Sequence, residues 1–131
     1  MQRRVLVADD DDAMRSTVAF TLDDEGFETI EAASGVEVLR LLETDDCCRT
    51  GQTPFDLIIM DIRMPGLSGL DTVRKLRALR CSTPVILMTA FPALETEEAA
   101  EALHVPLLAK PFALSELTAL TQRTLASRAA P

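Results

Sequence analysis

Four consecutive carboxylates, Asp9, Asp10, Asp11 and Asp12, close a short apolar run in the stretch LVADDDDAMR. A strand-like segment has no structural use for four like charges at its tip. Other polar groups end apolar runs in the same manner: Asp61 after DLIIM, Thr89 at the end of VILMT, and Lys110 after LLA, followed by Pro111. Each alone has an ordinary explanation. Asp61 suits a turn before Pro65 and Gly66, Thr89 is a β-former, and Lys110 is a common surface residue type. Their joint occurrence at the ends of apolar runs is what points to chemistry. Carboxylates ~5 Å apart repel by roughly 3 kcal/mol per pair at an effective dielectric of 20. Such a group either raises the pKa of one member or holds a cation. Mg²⁺ fits, because it takes oxygen ligands and keeps several waters. A carboxylate-held metal beside an ammonium and a hydroxyl suits phosphoryl transfer, which chiefly needs charge neutralised on the phosphoryl oxygens.

These groups meet only if parallel strands carry them to one edge. Val5–Ala8, Glu28–Ala32, Asp56–Met60, Val85–Thr89 and Leu107–Ala109 read as strands. Helical spacing connects them. Ala13–Glu25 places Met14, Val18 and Leu22 on one face, and Gly26 stands where a helix end favours a left-handed residue. Ser34 is a cap for a helix carrying Val38, Leu39 and Leu42. Leu70–Arg80, Thr96–Leu103 and Ser115–Ser127 are the remaining helices, with Leu70, Val73, Leu76, Leu117 and Leu120 inward. Residues 45–55 read as a long loop. The third and fourth strands are apolar at successive positions, the pattern of a parallel sheet covered on both faces. Five β-then-α units argue for a doubly wound α/β domain. Ligands in such sheets bind beyond the carboxyl ends of the strands, where the polar residues collect.

The chain has 131 residues, one domain of ordinary size, with a tail, SRAAP, that reads as a frayed end or the start of a linker. A formal net charge of −8 disfavours direct nucleic-acid binding, which needs clustered Lys and Arg, and suits cations or basic partners. Three cysteines (Cys47, Cys48 and Cys81) lack metal-binding spacing and fit reduced thiols in a cytoplasmic setting. No signal peptide and no membrane-length apolar run is expected. His104 lies near a predicted helix end, away from the polar edge, as a surface or partly buried residue.

VLVADDD (5–11), FDLIIMDIRMPGLSGLD (55–71), PVILMTA (84–90) and AKPF (109–112) together resemble the receiver domain of bacterial two-component response regulators over residues 4–126. The resemblance implies a flavodoxin-like, five-stranded parallel sheet in the order 2-1-3-4-5. It implies that Asp61 accepts a phosphoryl group from the phosphohistidine of a histidine kinase or phosphotransfer protein. It makes Asp10 the main acidic Mg²⁺ ligand and Asp9 a holder of the metal shell. Asp61 and the backbone carbonyl of Arg63 complete the protein ligands. Lys110, joined to Pro111 by a cis bond, contacts the phosphoryl oxygens. Thr89 donates its hydroxyl and moves on activation, aided by the backbone N–H of Ala90. The output partner is left open.

Several residues depart from the family pattern. Leu107 stands where an aromatic is usual, Ser68 where Asp is common, and the segment before AKPF lacks the usual Gly-Ala turn. Arg63 and Phe91 occupy positions that tune phosphoryl lifetime in the family, and the bulky Phe91 leads to an expectation of slow autodephosphorylation. Two other classes compete. A haloacid-dehalogenase-like Mg²⁺ phosphatase or phosphotransferase needs a second Asp two residues after its nucleophile, where this chain has Arg63. A flavodoxin-like binding module needs a phosphate-cradling loop after the first strand. Within the acidic run, Asp9 and Asp10 are expected as ligands, Asp11 as a solvated spacer and Asp12 as the helix cap.

Overall fold

Strands that are apolar at every position need cover on both faces, and alternation with helices supplies it. A computed structural model describes residues 2–42 and 54–129. Its elements are β1 (Arg4–Ala8), α1 (Asp12–Asp24), β2 (Glu28–Ala32), α2 (Gly35–Leu42) and β3 (Leu57–Asp61), then α3 (Gly69–Ala78), β4 (Val85–Thr89), α4 (Leu94–Ala102), β5 (Leu107–Ala109) and α5 (Leu114–Ala129). All pairings are parallel and the strand order is β2-β1-β3-β4-β5. This is the doubly wound, flavodoxin-like architecture expected from the sequence.

The pleat divides each central strand between two cores. Leu6, Ile58, Met60 and Leu87 join Val38 and Leu42 of α2 and Val73 and Leu76 of α3 on one side. Val5, Val7, Ile59 and Ile86 join Val18 and Leu22 of α1 and Leu117 and Leu125 of α5 on the other. Full burial of one such side chain stabilises the fold by about 1.5–3 kcal/mol. The central strands are therefore the best-anchored segments, and whatever follows them inherits that rigidity.

Register aligns the strand ends. Ala8 pairs with Ala32 and Met60, Asp61 with Met88, and Thr89 with Ala109. One further backbone bond extends the ladder past each strand: Asp9 N–H to Ala32 O at 3.1 Å, Ile62 N–H to Met88 O at 2.9 Å, and Lys110 N–H to Thr89 O at 2.7 Å. Asp61 is thus the last residue of β3 rather than the first beyond it.

Three helices end in the same hydrogen-bonded turn. Phe27, Cys81 and Val105 donate back to Leu22, Leu76 and Ala100, at 3.0, 2.9 and 3.0 Å. The residue at the left-handed position is Gly26 (φ 97°) after α1, as expected, but Arg80 (φ 62°) after α3 and His104 (φ 57°) after α4. A side chain there costs about 1 kcal/mol or more.

The Ser34 hydroxyl accepts the Glu37 N–H at 3.1 Å, capping α2 as expected. The helix expected from Thr96 begins at Leu94, because Ala93 at its cap has no side-chain acceptor to mark the start. Cys47, Cys48 and the predicted loop up to residue 53 lie outside the described residues. No helix among the described residues is long and apolar enough to cross a membrane.

Candidate functional site

The carboxyl edge of the sheet gathers three carboxylates and an ammonium. Asp9 follows β1 and is fully buried, Asp61 ends β3 and is 7% exposed, and Asp10 faces solvent. One oxygen from each lies within 4.8 Å of the others. The Lys110 Nζ sits between two of them, 3.1 Å from Asp9 Oδ2 and 3.4 Å from Asp61 Oδ1. Asp9 Oδ1 accepts the Asp11 N–H at 3.0 Å, which folds the acidic loop back over its own first residue.

Burial pushes the Asp61 carboxyl above its ordinary range, Asp9 adds to this by charge repulsion, and the attraction of Lys110 only partly opposes it. Burial pulls the Lys110 ammonium down, but the carboxylates together outweigh this and hold it above the usual lysine value. Lys110 is therefore a firm cation. One ammonium against three carboxylates still leaves the pocket short of positive charge. An all-oxygen donor set with surplus negative charge fits a hard divalent cation.

Thr89, 3% exposed, ends β4, and its hydroxyl accepts the Phe91 N–H at 3.1 Å. Ala90 follows it and is exposed. Arg63 lies two residues past Asp61, with its guanidinium carbon 4.4 Å from the centre of the Phe91 ring, a cation–π contact. The Lys110–Pro111 peptide is cis, as the family resemblance implied. Asp9, Asp10, Asp61 and Lys110 are thus in one group, while Thr89 and Ala90 stand at the end of the neighbouring β4 and Arg63 lies two residues past the end of β3 itself. Leu107 is half-buried on β5, in register with Leu87. His104 is exposed at the end of α4, the opposite pole from this edge.

The division of the acidic run needs correcting. Helix α1 begins one residue earlier than expected, so the cap is Asp11, whose carboxylate accepts the N–H groups of Ala13 and Met14 at 3.0 and 3.3 Å. Asp12 is the first helical residue and pairs with Arg15 at 2.6 Å.

Two positioning residues escaped the sequence analysis. Arg15 donates to the Asp9 carbonyl at 2.7 Å and pairs with Glu31 at 3.1 Å as well as Asp12. It ties the carbonyl of the first ligand candidate to α1 and β2. Gly69 begins α3 directly against the strand end: a Cβ there would lie 2.5 Å from the Asp61 carbonyl oxygen. Its N–H donates to Ile62 O at 2.8 Å, so the approach is held closed. Ser68, noted as a departure, caps α3 by accepting the Asp71 N–H at 3.1 Å.

The profile of the response regulator receiver domain family matches residues 5–122. Regulatory protein AtoC of Escherichia coli is 37% identical over 125 residues, covering 93% of this chain and 25% of AtoC. Transcriptional regulatory protein PdtaR of Mycobacterium tuberculosis is 36% identical over 117 residues, covering 88% of this chain and 53% of PdtaR. The chain thus spans a quarter to about half of the length of these curated relatives. Among solved structures, the chemotaxis response regulator CheY4 of Vibrio cholerae superposes with a TM-score of 0.78 at 30% identity, over 95% of this chain and 99% of that one. With its parallel sheet, its acidic cluster and the lysine bridging Asp9 to Asp61, the chain belongs to the family of response regulator receiver domains, the phosphoacceptors of two-component signalling.

Proposed function

We propose that Asp61 is the phosphoacceptor, that the cation beside it is Mg²⁺, and that the whole chain acts as one receiver domain with a core of about residues 4–126. The observation that carries this is the position of Asp61: buried at the end of a central strand, against the Asp9 and Asp10 carboxylates and in contact with the Lys110 ammonium.

An oxygen of Asp61 forms the new bond to phosphorus as the bond to the donor's leaving atom breaks. The donor class is a phosphohistidine on a histidine kinase or phosphotransfer protein. Asp9, Asp10, Asp61 and the Arg63 carbonyl are the ligand set for the metal, which when bound neutralises charge on the phosphoryl oxygens. Lys110 is rigidly placed by its backbone bond to Thr89, and its ammonium stays charged for the incoming phosphoryl group. Thr89 moves towards the phosphoryl group and donates its O–H to a phosphoryl oxygen, releasing the Phe91 N–H as it goes, and the Ala90 N–H adds a second donor. That release links the phosphoryl group to the β4–α4 turn, and so to a partner-binding surface. Phe91 offers no group to orient an attacking water, and Arg63 is engaged with its ring. Slow autodephosphorylation follows from this, and a phosphoryl half-life of seconds would contradict it.

Incubation with acetyl phosphate and Mg²⁺, read by intact mass, tests the assignment. Wild type should gain one phosphoryl group and Asp61→Asn none. Steady turnover of phosphomonoesters would instead support the phosphatase class, whose second aspartate is replaced here by Arg63.

A further inference from the structure

At the amino edge of the sheet, opposite the acidic site, a groove runs across the starts of β4 and β5. It has two bays of about 520 Å³ each, which share Arg77, Ser82 and His104. Arg80 lines one bay and Arg123 the other. In a chain of net charge −8, three arginines and the single histidine thus surround one depression. Among the described residues no acidic side chain lines either bay; Glu101 lines an adjoining depression that shares His104 with them.

Three observations bear on these cations. Arg4, Arg15 and Arg74 pair with carboxylates, whereas Arg77, Arg80 and Arg123, like Arg3 and Arg63, have no such partner among the described residues. Arg77 is half-buried, and among the described residues its Nη1 is met by the carbonyls of Cys81 at 2.7 Å and Thr83 at 2.9 Å. A half-buried charge without a counter-ion is costly unless something else supplies one. Finally, Arg80 and His104 are the only non-glycine residues with positive φ among those described. Both hold the left-handed position that Gly26 fills in the third equivalent turn. Glycine would be cheaper in each place, yet each bears a basic side chain on this groove. The carbonyls at the ends of α3 and α4 favour nearby cations, but that attraction is met equally well by a basic residue inside the last turn and does not require one in a left-handed conformation.

We propose that this groove binds a phosphorylated small molecule, an organic diphosphate of nucleotide size. Its phosphates would lie among Arg77, Arg80 and Arg123, with the hydroxyls of Ser82 and Ser127 in reach, and its organic part on the apolar floor of Pro84, Pro106 and Leu120. Arginine supplies the planar donor array that phosphate recognition uses, and each bay has the volume of an ordinary ligand site.

The test is calorimetric titration of the 131-residue chain with ADP and with inorganic pyrophosphate, in EDTA so that the acidic edge carries no metal. ADP should bind with submillimolar Kd, more weakly as salt rises. The double variant Arg80→Gly/Arg123→Ala should bind at least about tenfold more weakly. Arg80→Gly alone relieves the left-handed backbone, so its thermal midpoint should equal or exceed that of wild type, and lost affinity cannot be put down to unfolding. Asp61→Asn should leave binding unchanged, which separates this site from the phosphoacceptor. Pyrophosphate should bind about tenfold more weakly than ADP; equal affinity would overturn the organic half of the ligand. Absence of binding by either probe at several millimolar, or unchanged affinity in the double variant, would overturn the site.

Discussion

The two edges of the sheet are built on opposite electrostatic principles. At the carboxyl edge, one oxygen from each of Asp9, Asp10 and Asp61 lies within 4.8 Å of the others, and Lys110 bridges Asp9 to Asp61. At the amino edge, Arg77, Arg80 and Arg123 line a groove that no carboxylate of the described residues lines. The first edge concentrates like charge on rigid strand ends, so the repulsion is stored in the fold and is relieved when a cation arrives. The second places its charge on helix ends and on α5, where side chains have freer geometry. Reaction chemistry belongs where atoms are fixed; recognition tolerates the looser arrangement.

Three substitutions sharpen this comparison. The largest effect should come from Lys110→Ala. Removing a preorganised cation aimed at developing charge typically slows reaction by about 100-fold or more. The rate of phosphoryl uptake from acetyl phosphate should fall by that order, while binding at the amino edge stays as in wild type. Arg15→Ala comes next. It leaves all three acidic groups in place but frees the Asp9 carbonyl, and loss of such a supporting partner usually weakens metal binding by about tenfold. Mg²⁺ titration followed by thermal shift should show it, with Arg15→Lys recovering part of the affinity.

The smallest effect concerns stability. In the unfolded chain the Asp61 carboxyl titrates near its ordinary 3.8, and in the fold it titrates higher. Below that ordinary value both states hold the proton and the group costs nothing. As pH rises, the unfolded state releases its proton first, so stability falls until the folded group also ionises, and the loss then persists at neutral pH. Asp61→Asn should therefore raise the metal-free melting temperature by a few degrees at pH 7 and leave it nearly unchanged below pH 3.8. Added Mg²⁺ should reverse the order of the two proteins, because only the carboxylate gains from the cation. A variant no more stable than wild type at neutral pH would mean that the edge stores no repulsion.

The acidic edge was legible in the sequence because strand periodicity is. Runs such as DLIIM and VILMT announce where a strand stops, and a polar residue at or just past that end stands out. The choice between Asp11 and Asp12 as cap was not legible: adjacent aspartates are equally able acceptors, and the start of α1 decides between them. Arg15 could not be linked to Asp9, since the contact depends on how the intervening loop folds back. Gly69 gave no signal, because its need for a missing Cβ arises only when α3 meets the end of β3. The amino edge was invisible for a related reason. Glycine marks a left-handed helix end in a sequence, and Arg80 and His104 adopt that conformation without the marker.

The most direct test of the central claim locates the phosphoryl group itself. Borohydride reduction of the acetyl-phosphate-treated protein converts an aspartyl phosphate to an alcohol, which peptide mass mapping can place. The modification should fall on Asp61 alone and require Mg²⁺. Modification at Asp9, Asp10 or His104, or an unmodified Asp61 in a fully folded, Mg²⁺-saturated chain, would contradict it.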